Sequence, residues 1–233
     1  MSAGTFFVLG RPLNERAPAD EAFISLVSQS QLIIGESRKI TERLLAHIPV
    51  SKDTPVFYLD NAKPQEMKAL EETLKRISKE KGAACLFSDM GMPILFDPGS
   101  KSLELAKKIG MKIRVLPGPT CWGTAAALSG WSPPFQLVGF LSPKAEFRIQ
   151  ELSQLRSEKA HLILLDTPYR FQALLTDCHK TFGGEHQVFL AWEIGTPEEI
   201  YFWGSLNQLL LKSETEGLKK GEFILLLQKP SVK

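Results

Sequence analysis

CLFSDMGMPILFDPGSKSLELAKKIGMKIRVLPGPT, Cys85 to Thr120, is the stretch that decides the fold. Cys85-Leu86-Phe87 is a short apolar run that breaks into a Gly/Pro-rich loop. Ser102 to Ile109 reads as a helix, and Lys112 to Leu116 as a second apolar strand. Pro117-Gly118-Pro119 then turns the chain into a helix of small residues, Cys121 to Ser129. A strand, a covering helix and a second strand form the unit of a parallel sheet.

The same alternation continues upstream. Phe6-Phe7-Val8-Leu9, Leu32-Ile33-Ile34 and Val56-Phe57-Tyr58 read as strands. Between them lie a helix with Pro18 at its start, a helix from Glu36 to Ile48, and one from Pro64 to Glu80 with Met67, Leu70, Leu74 and Ile77 at helical spacing. Downstream the pattern changes. Phe135–Phe140, His161–Leu165, Val188–Glu193, Glu199–Gly204 and Phe223–Gln228 read as strands, with helices only near Phe147–Leu155 and Pro168–Phe182. With little helix between the last three strands, antiparallel pairing is expected there. The prediction is two α/β domains, residues 1–118 and 119–233: the first a mostly parallel five-stranded sheet, the second a mixed sheet.

Composition narrows the function. The chain has 233 residues, 43% hydrophobic and 23% charged, which is ordinary globular usage. Lys and Arg total 28 against 26 Asp and Glu, a formal charge of +2, so the whole molecule carries no basic signature for nucleic acid. Cys85, Cys121 and Cys178 are too few and too widely spaced for a disulfide framework or a zinc site, and the four His residues show no ligand spacing. No apolar run approaches a membrane span, the N-terminus does not read as a secretory signal, and a cytoplasmic location is expected. The loop Ser88–Ser100 matches neither the P-loop nor the dinucleotide fingerprint, and no G-x-S-x-G elbow is present.

Three strand-to-helix loops carry candidate chemistry, because ligands of open α/β sheets bind beyond the carboxyl ends of the strands. In Ser88–Ser100, Gly91 and Gly99 allow close backbone approach, Asp89 offers an acceptor, and Asp97 suits a helix cap; the same residues also suit a well-made turn. In Leu116–Cys121, Thr120 is either an ordinary cap or part of an anion-friendly helix start. In Leu165–Arg170, Pro168 suits the first helical position with Thr167 or Asp166 as cap.

Taken in order, SDMGMPILFDPG, VLPGPT, LVGFLSPK, LLDTPYR and KKGEFILLL resemble the motifs of the tetrapyrrole-methylase family of S-adenosylmethionine-dependent methyltransferases. The branch they are most similar to contains the bacterial 2′-O-ribose methyltransferase of small-subunit ribosomal RNA. The resemblance runs from about Thr5 to Gln228. It implies S-adenosyl-L-methionine in the cleft between two α/β domains, no metal, and a homodimer whose partner is ribosomal RNA or the small ribosomal subunit. Carried over residue by residue, it places Pro12, Ser88, Asp89, Gly91, Ile94, Thr120, Cys121, Asp166, Thr167, Ala191, Gly221 and Glu222 against the cofactor. Glu36 and Glu193 become candidate catalytic carboxylates, and Arg38 and Arg170 candidate substrate contacts. The branch's P-T-P-I-G-N becomes Gly10-Arg11-Pro12-Leu13-Asn14-Glu15, which keeps Pro12, and its A-R-E-L-T-K becomes Ala191 to Thr196, which keeps Glu193. The alternatives are the same chemistry on a tetrapyrrole or another small molecule, and a protein that holds S-adenosylmethionine without turnover.

Overall fold

The computed structural model describes residues 3–229. The chain divides into two compact units, Met1–Thr120 and Cys121–Lys233, against the break expected after Gly118.

The first unit is a parallel five-stranded sheet. Its strands are β1 (Thr5–Leu9), β2 (Leu32–Gly35), β3 (Val56–Tyr58), β4 (Ala83–Phe87) and β5 (Lys112–Leu116), in the order β3-β2-β4-β1-β5. Side chains alternate across a strand, so each strand feeds two cores. Leu9, Ile33, Cys85 and Phe87 meet Phe23 and Val27 of α1 (Glu21–Ser28) and Leu44 of α2 (Arg38–Leu45). Phe6, Val8, Ile34 and Leu86 meet Leu70, Leu74 and Ile77 of α3 (Pro64–Lys79) and Ala106 of α4 (Ser100–Ile109) on the other face. Each such Leu, Ile or Phe contributes about 1.5–3 kcal/mol by its removal from water. This double cover explains why the central strands read as continuous apolar runs. It also fixes the site, because β4 lies between β2 and β1, whose chains leave toward the α1/α2 face while its own leaves toward the α3/α4 face. The loop after β4 therefore borders a crevice on both sides.

The second unit is a mixed sheet of β6 (Phe135–Phe140), β7 (His161–Leu165), β8 (Gln187–Trp192), β9 (Ile200–Ser205) and β10 (Phe223–Leu227), in the order β6-β7-β10-β8-β9. Only β6 and β7 pair in parallel. α5 (Cys121–Ser129) packs on one face through Ala125. α6 (Ala145–Leu155), α7 (Phe171–Phe182) and α8 (Leu206–Thr215) pack on the other. Between α6 and α7, Arg148 meets Asp177 through Nε and Nη2, at 2.9 and 2.6 Å, with both residues buried. The Arg148 Nη1 also donates to the carbonyls of Ser142 and Pro143, so the buried guanidinium is well satisfied.

The two expected α/β architectures are present, and the differences are local. α1 begins at Glu21 rather than at Pro18, because the Asp20 carboxylate accepts the Phe23 N–H at 2.7 Å. α2 begins at Arg38 because Ser37 is its cap, which leaves Glu36 outside the helix. α4 starts behind Gly99 (φ 132°), not behind an Asp97 cap, and α7 starts at Phe171 behind a turn in which the Arg170 N–H donates to the Thr167 carbonyl. α8, absent from the expected pattern, follows β9 with no intervening loop. Among the described residues, no helix is long and apolar enough to cross a membrane.

Candidate functional site

Backbone contacts bring three loops of the first unit together. The Gly10 N–H donates to the Leu116 carbonyl, and a Cβ built on Gly10 would lie 2.4 Å from the Gly118 nitrogen. Only a residue without a side chain allows that approach. One residue further on, the Arg11 N–H donates to the Gly91 carbonyl at 2.8 Å and the Gly91 N–H returns to the Pro12 carbonyl at 3.1 Å. A Cβ on Gly91 would sit 3.2 Å from the Pro119 carbonyl, and Gly91 already has φ 65°. The loop after β4 continues through Ile94 (φ 86°) and Phe96 (φ 67°). A β-branched residue in the left-handed region costs on the order of 1–3 kcal/mol, which the surrounding contacts must offset.

Carboxylates converge on this seam. Glu36, just past β2, accepts the Asp89 N–H on Oε2 at 2.9 Å, and Asp89 Oδ1 accepts the Ser37 N–H at 3.2 Å. The ends of β2 and β4 thus clasp each other through one side chain from each. Burial pushes the Glu36 carboxyl up to about 7; Asp97, Asp89 and Asp60 push the same way and the Asp89 N–H opposes them. Asp97 is likewise raised to about 6, by burial and by Asp89, against a contact with the Ser88 hydroxyl. The Ser88 hydroxyl also donates to the Met90 carbonyl at 2.8 Å. Arg11 is 2% exposed and donates Nη1 to the Asp89 carbonyl and Nη2 to the Glu15 carbonyl, while its buried Nε has no partner among the described residues. Negative charge therefore concentrates where burial penalises it, the usual condition of a site built to receive a cation or a proton.

The sequence-predicted residues of this unit divide accordingly. Pro12, Glu36, Ser88, Asp89 and Gly91 are brought together at the seam; Ile94 lies farther along the same loop, and Thr120 precedes α5. Arg38 sits on the exposed side of α2, with its guanidinium 4.2 Å over the Tyr58 ring and bonded to Glu42 at 3.0 Å. Both contacts lie on the exposed surface at the carboxyl end of the sheet.

In the second unit, Asp166 is buried at the end of β7, with Oδ1 accepting the Thr167 N–H at 2.6 Å and the Arg170 Nη2 at 2.5 Å. Its Oδ2 and the Arg170 Nη1 are buried without partners among the described residues. Cys121 opens α5, and Ala191 is fully buried in β8 between Ile224 and Tyr201. Glu193 (φ 49°) exchanges hydrogen bonds with Glu222: its N–H donates to the Glu222 carbonyl and its Oε1 accepts the Glu222 N–H, both at 2.8 Å. Gly221 is required beside them, since a Cβ there would meet the Trp192 ring at 2.3 Å. Glu193 is thereby committed to tying the segment after β8 to the segment that leads into β10.

Sequence reasoning did not single out Arg11, Ser37 or Asp60. Their signal is positional, since each lies within two residues of a strand end, but only the strand order places them beside Asp89 and Glu36.

Comparison with known proteins agrees with this architecture. Residues 22–210 match the family model described as Tetrapyrrole (Corrin/Porphyrin) Methylases. The chain is similar to the ribosomal RNA small subunit methyltransferase I of Leptospira borgpetersenii, at 30% identity over 87% of this chain and 79% of that protein. It is similar to the protein of the same name from Vibrio cholerae, at 27% identity over 97% of this chain and 77% of that one. Among solved structures, a cobalt precorrin-4 methyltransferase of cobalamin biosynthesis has the same fold, with a TM-score of 0.64 at 16% identity over 96% of this chain and 94% of that one.

Proposed function

Because this chain belongs to the tetrapyrrole (corrin/porphyrin) methylase family, we propose that it transfers the methyl group of S-adenosylmethionine to a ribose 2′-oxygen of small-subunit ribosomal RNA. The observation that carries the donor half is the clasp of Glu36 and Asp89, with the Asp97 carboxylate near it, at the crevice beside β4. Burial and the neighbouring carboxylates disfavour the charged forms of Glu36 and Asp97, and a cationic sulfonium or ammonium group beside them would offset that penalty. The residues present therefore fit the cofactor. Ser88, Asp89, Gly91, Pro12, Ile94 and Thr120 would hold it from the first unit. In the second unit the family resemblance nominates Cys121, Asp166, Thr167, Ala191, Gly221 and Glu222, and of these Asp166 has an Oδ2 without a partner among the described residues. When bound, S-adenosylmethionine supplies a methyl group activated by its positive sulfur.

The protein's own work is then placement and proton removal. A ribose hydroxyl is a weak nucleophile at neutral pH, and a general base is most effective when its pKa lies near the working pH. Glu36, raised to about 7, meets that condition, and the Asp89 N–H fixes one of its oxygens so that the other can face an acceptor hydroxyl. Arg38, beside Tyr58 and Glu42, presents a guanidinium for the adjoining phosphate, and Arg170, paired with the buried Asp166, is the candidate substrate contact of the second unit.

The acceptor half rests on similarity to the ribosomal RNA methyltransferases over most of the chain. Methyl-labelled S-adenosylmethionine incubated with small ribosomal subunits tests it. Label should enter RNA and, after alkaline hydrolysis, appear in dinucleotides, because a methylated 2′-oxygen cannot cleave its own phosphodiester. Label in mononucleotides would move the methyl to a base, and label indifferent to ribonuclease would move it to a small molecule or a protein.

A further inference from the structure

Outside the carboxylate clasp, the first unit carries a groove of about 360 Å³ where the chain from Glu15 to Ala19 crosses α1 and α2. Its floor is apolar, from Ile24, Leu44 and Ile48, and its rim carries Arg16, Arg43 and His47. Two acids lie close by. The Glu15 carboxylate pairs with Arg43 at 3.1 Å, a partly exposed contact that a phosphate on Arg43 would replace, and the Asp20 carboxylate caps α1. The groove is also joined to the site, because the Glu15 carbonyl accepts from both Arg43 Nη2 and Arg11 Nη2, and the same Arg11 holds the Asp89 carbonyl.

We propose that this groove seats the RNA strand beside the target nucleotide, with an unstacked base on the Ile24–Leu44–Ile48 floor and flanking phosphates on Arg16 and Arg43. The inference rests on the reading of ribosomal RNA as acceptor. A chain with a formal charge of only +2 has to concentrate its cations locally to hold a polyanion. Sequence-tolerant single-strand binding needs what this groove offers, an apolar surface for a base face and a cationic rim that follows the backbone.

The test compares the unaltered protein with Arg16→Gln/Arg43→Gln, using small ribosomal subunits assembled on in vitro transcribed RNA. The Arg43–Glu15 pair is partly exposed, with side chains 40% and 36% accessible, so its loss should leave the fold intact. Melting temperature and calorimetric affinity for S-adenosylmethionine check this. The double variant should bind subunits about tenfold more weakly. Its slope of log affinity against log salt should fall by about 1.4, two phosphate contacts at about 0.7 each. Methylation by the unaltered protein with equal affinity and slope in the variant refutes the groove alone. Failure of the unaltered protein to bind or methylate the subunits refutes the RNA reading and the groove with it.

Discussion

Glu36→Gln separates the carboxyl's charge from its shape. The amide keeps an oxygen that can accept the Asp89 N–H now 2.9 Å from Oε2, so the clasp survives. What disappears is an ionisable group whose folded-state pKa is about 7 against an ordinary 4.5. Below pH 4.5 the acid is protonated in both folded and unfolded chains and has no effect on stability. Between 4.5 and 7 the unfolded chain releases the proton and the folded chain keeps it, so stability falls as pH rises; above 7 the full penalty is present. That displacement is worth about 3 kcal/mol for a fully buried group. Glu36 is half-buried, and solvent screening brings the figure to about 1–2 kcal/mol. The variant should therefore match the unaltered protein at pH 4 and exceed it at pH 8, with a midpoint higher by roughly 2–8 °C. Thermal unfolding at the two pH values reads this directly. Methyl transfer should move the other way and fall about 10²- to 10⁴-fold, the usual range for a general base. A variant less stable at both pH values would make the carboxylate a structural acceptor and overturn the electrostatic reasoning. Undiminished turnover would remove Glu36 from the chemistry.

Three further outcomes follow from named contacts. Asp89→Ala takes away the acceptor of the Ser37 N–H and should weaken S-adenosylmethionine binding at least tenfold, about 1.4 kcal/mol; an unchanged calorimetric affinity would exclude Asp89 from the cofactor site. Gly118→Ala places a Cβ 2.7 Å from the Gly10 Cα, where both partners are backbone, and should cost about 1–3 kcal/mol in urea unfolding; a normal midpoint would show that the two loops part without penalty. Arg148→Ala strands the buried Asp177 carboxylate and should cost about 3–5 kcal/mol, most of it recovered in Arg148→Met/Asp177→Leu. Equal losses in the single and double variants would mean that packing, not charge, is what the pair supplies.

The strands of the first unit were legible because helices cover both faces and leave uninterrupted apolar runs such as Leu32-Ile33-Ile34. α8 was not legible, although Ser205-Leu206-Asn207-Gln208 is a capping box, because Ser205 is at once the last residue of β9 and the helix cap. With no turn between them, the change of period has no punctuation. Pro18 and Pro168 misled for the opposite reason: each favours a helix start, yet Asp20 and the Thr167–Arg170 turn set the starts a few residues later. For the site, Asp89 could be picked out as an acceptor at a strand end, whereas Glu36 read as the first residue of a helix and became a candidate only through the family resemblance. Their clasp could not, because it depends on β2 lying next to β4, a neighbour far away in the chain.

The contact between Gly10 and Gly118 limits how this loop cluster can be rewritten. Ordinary neighbours in a core can drift together, one growing as the other shrinks. Here each residue is already the smallest there is and faces the other's main chain, so no reciprocal exchange exists, and a side chain at either position, such as the proline the related motif has in place of Gly10, requires the two backbones to part. Arg11, in the position where the related motif has a threonine, is a second change in the same loop. A library that randomises residues 13–16 while fixing the two glycines and the buried Arg11 would sample altered acceptor preference with the seam left in place.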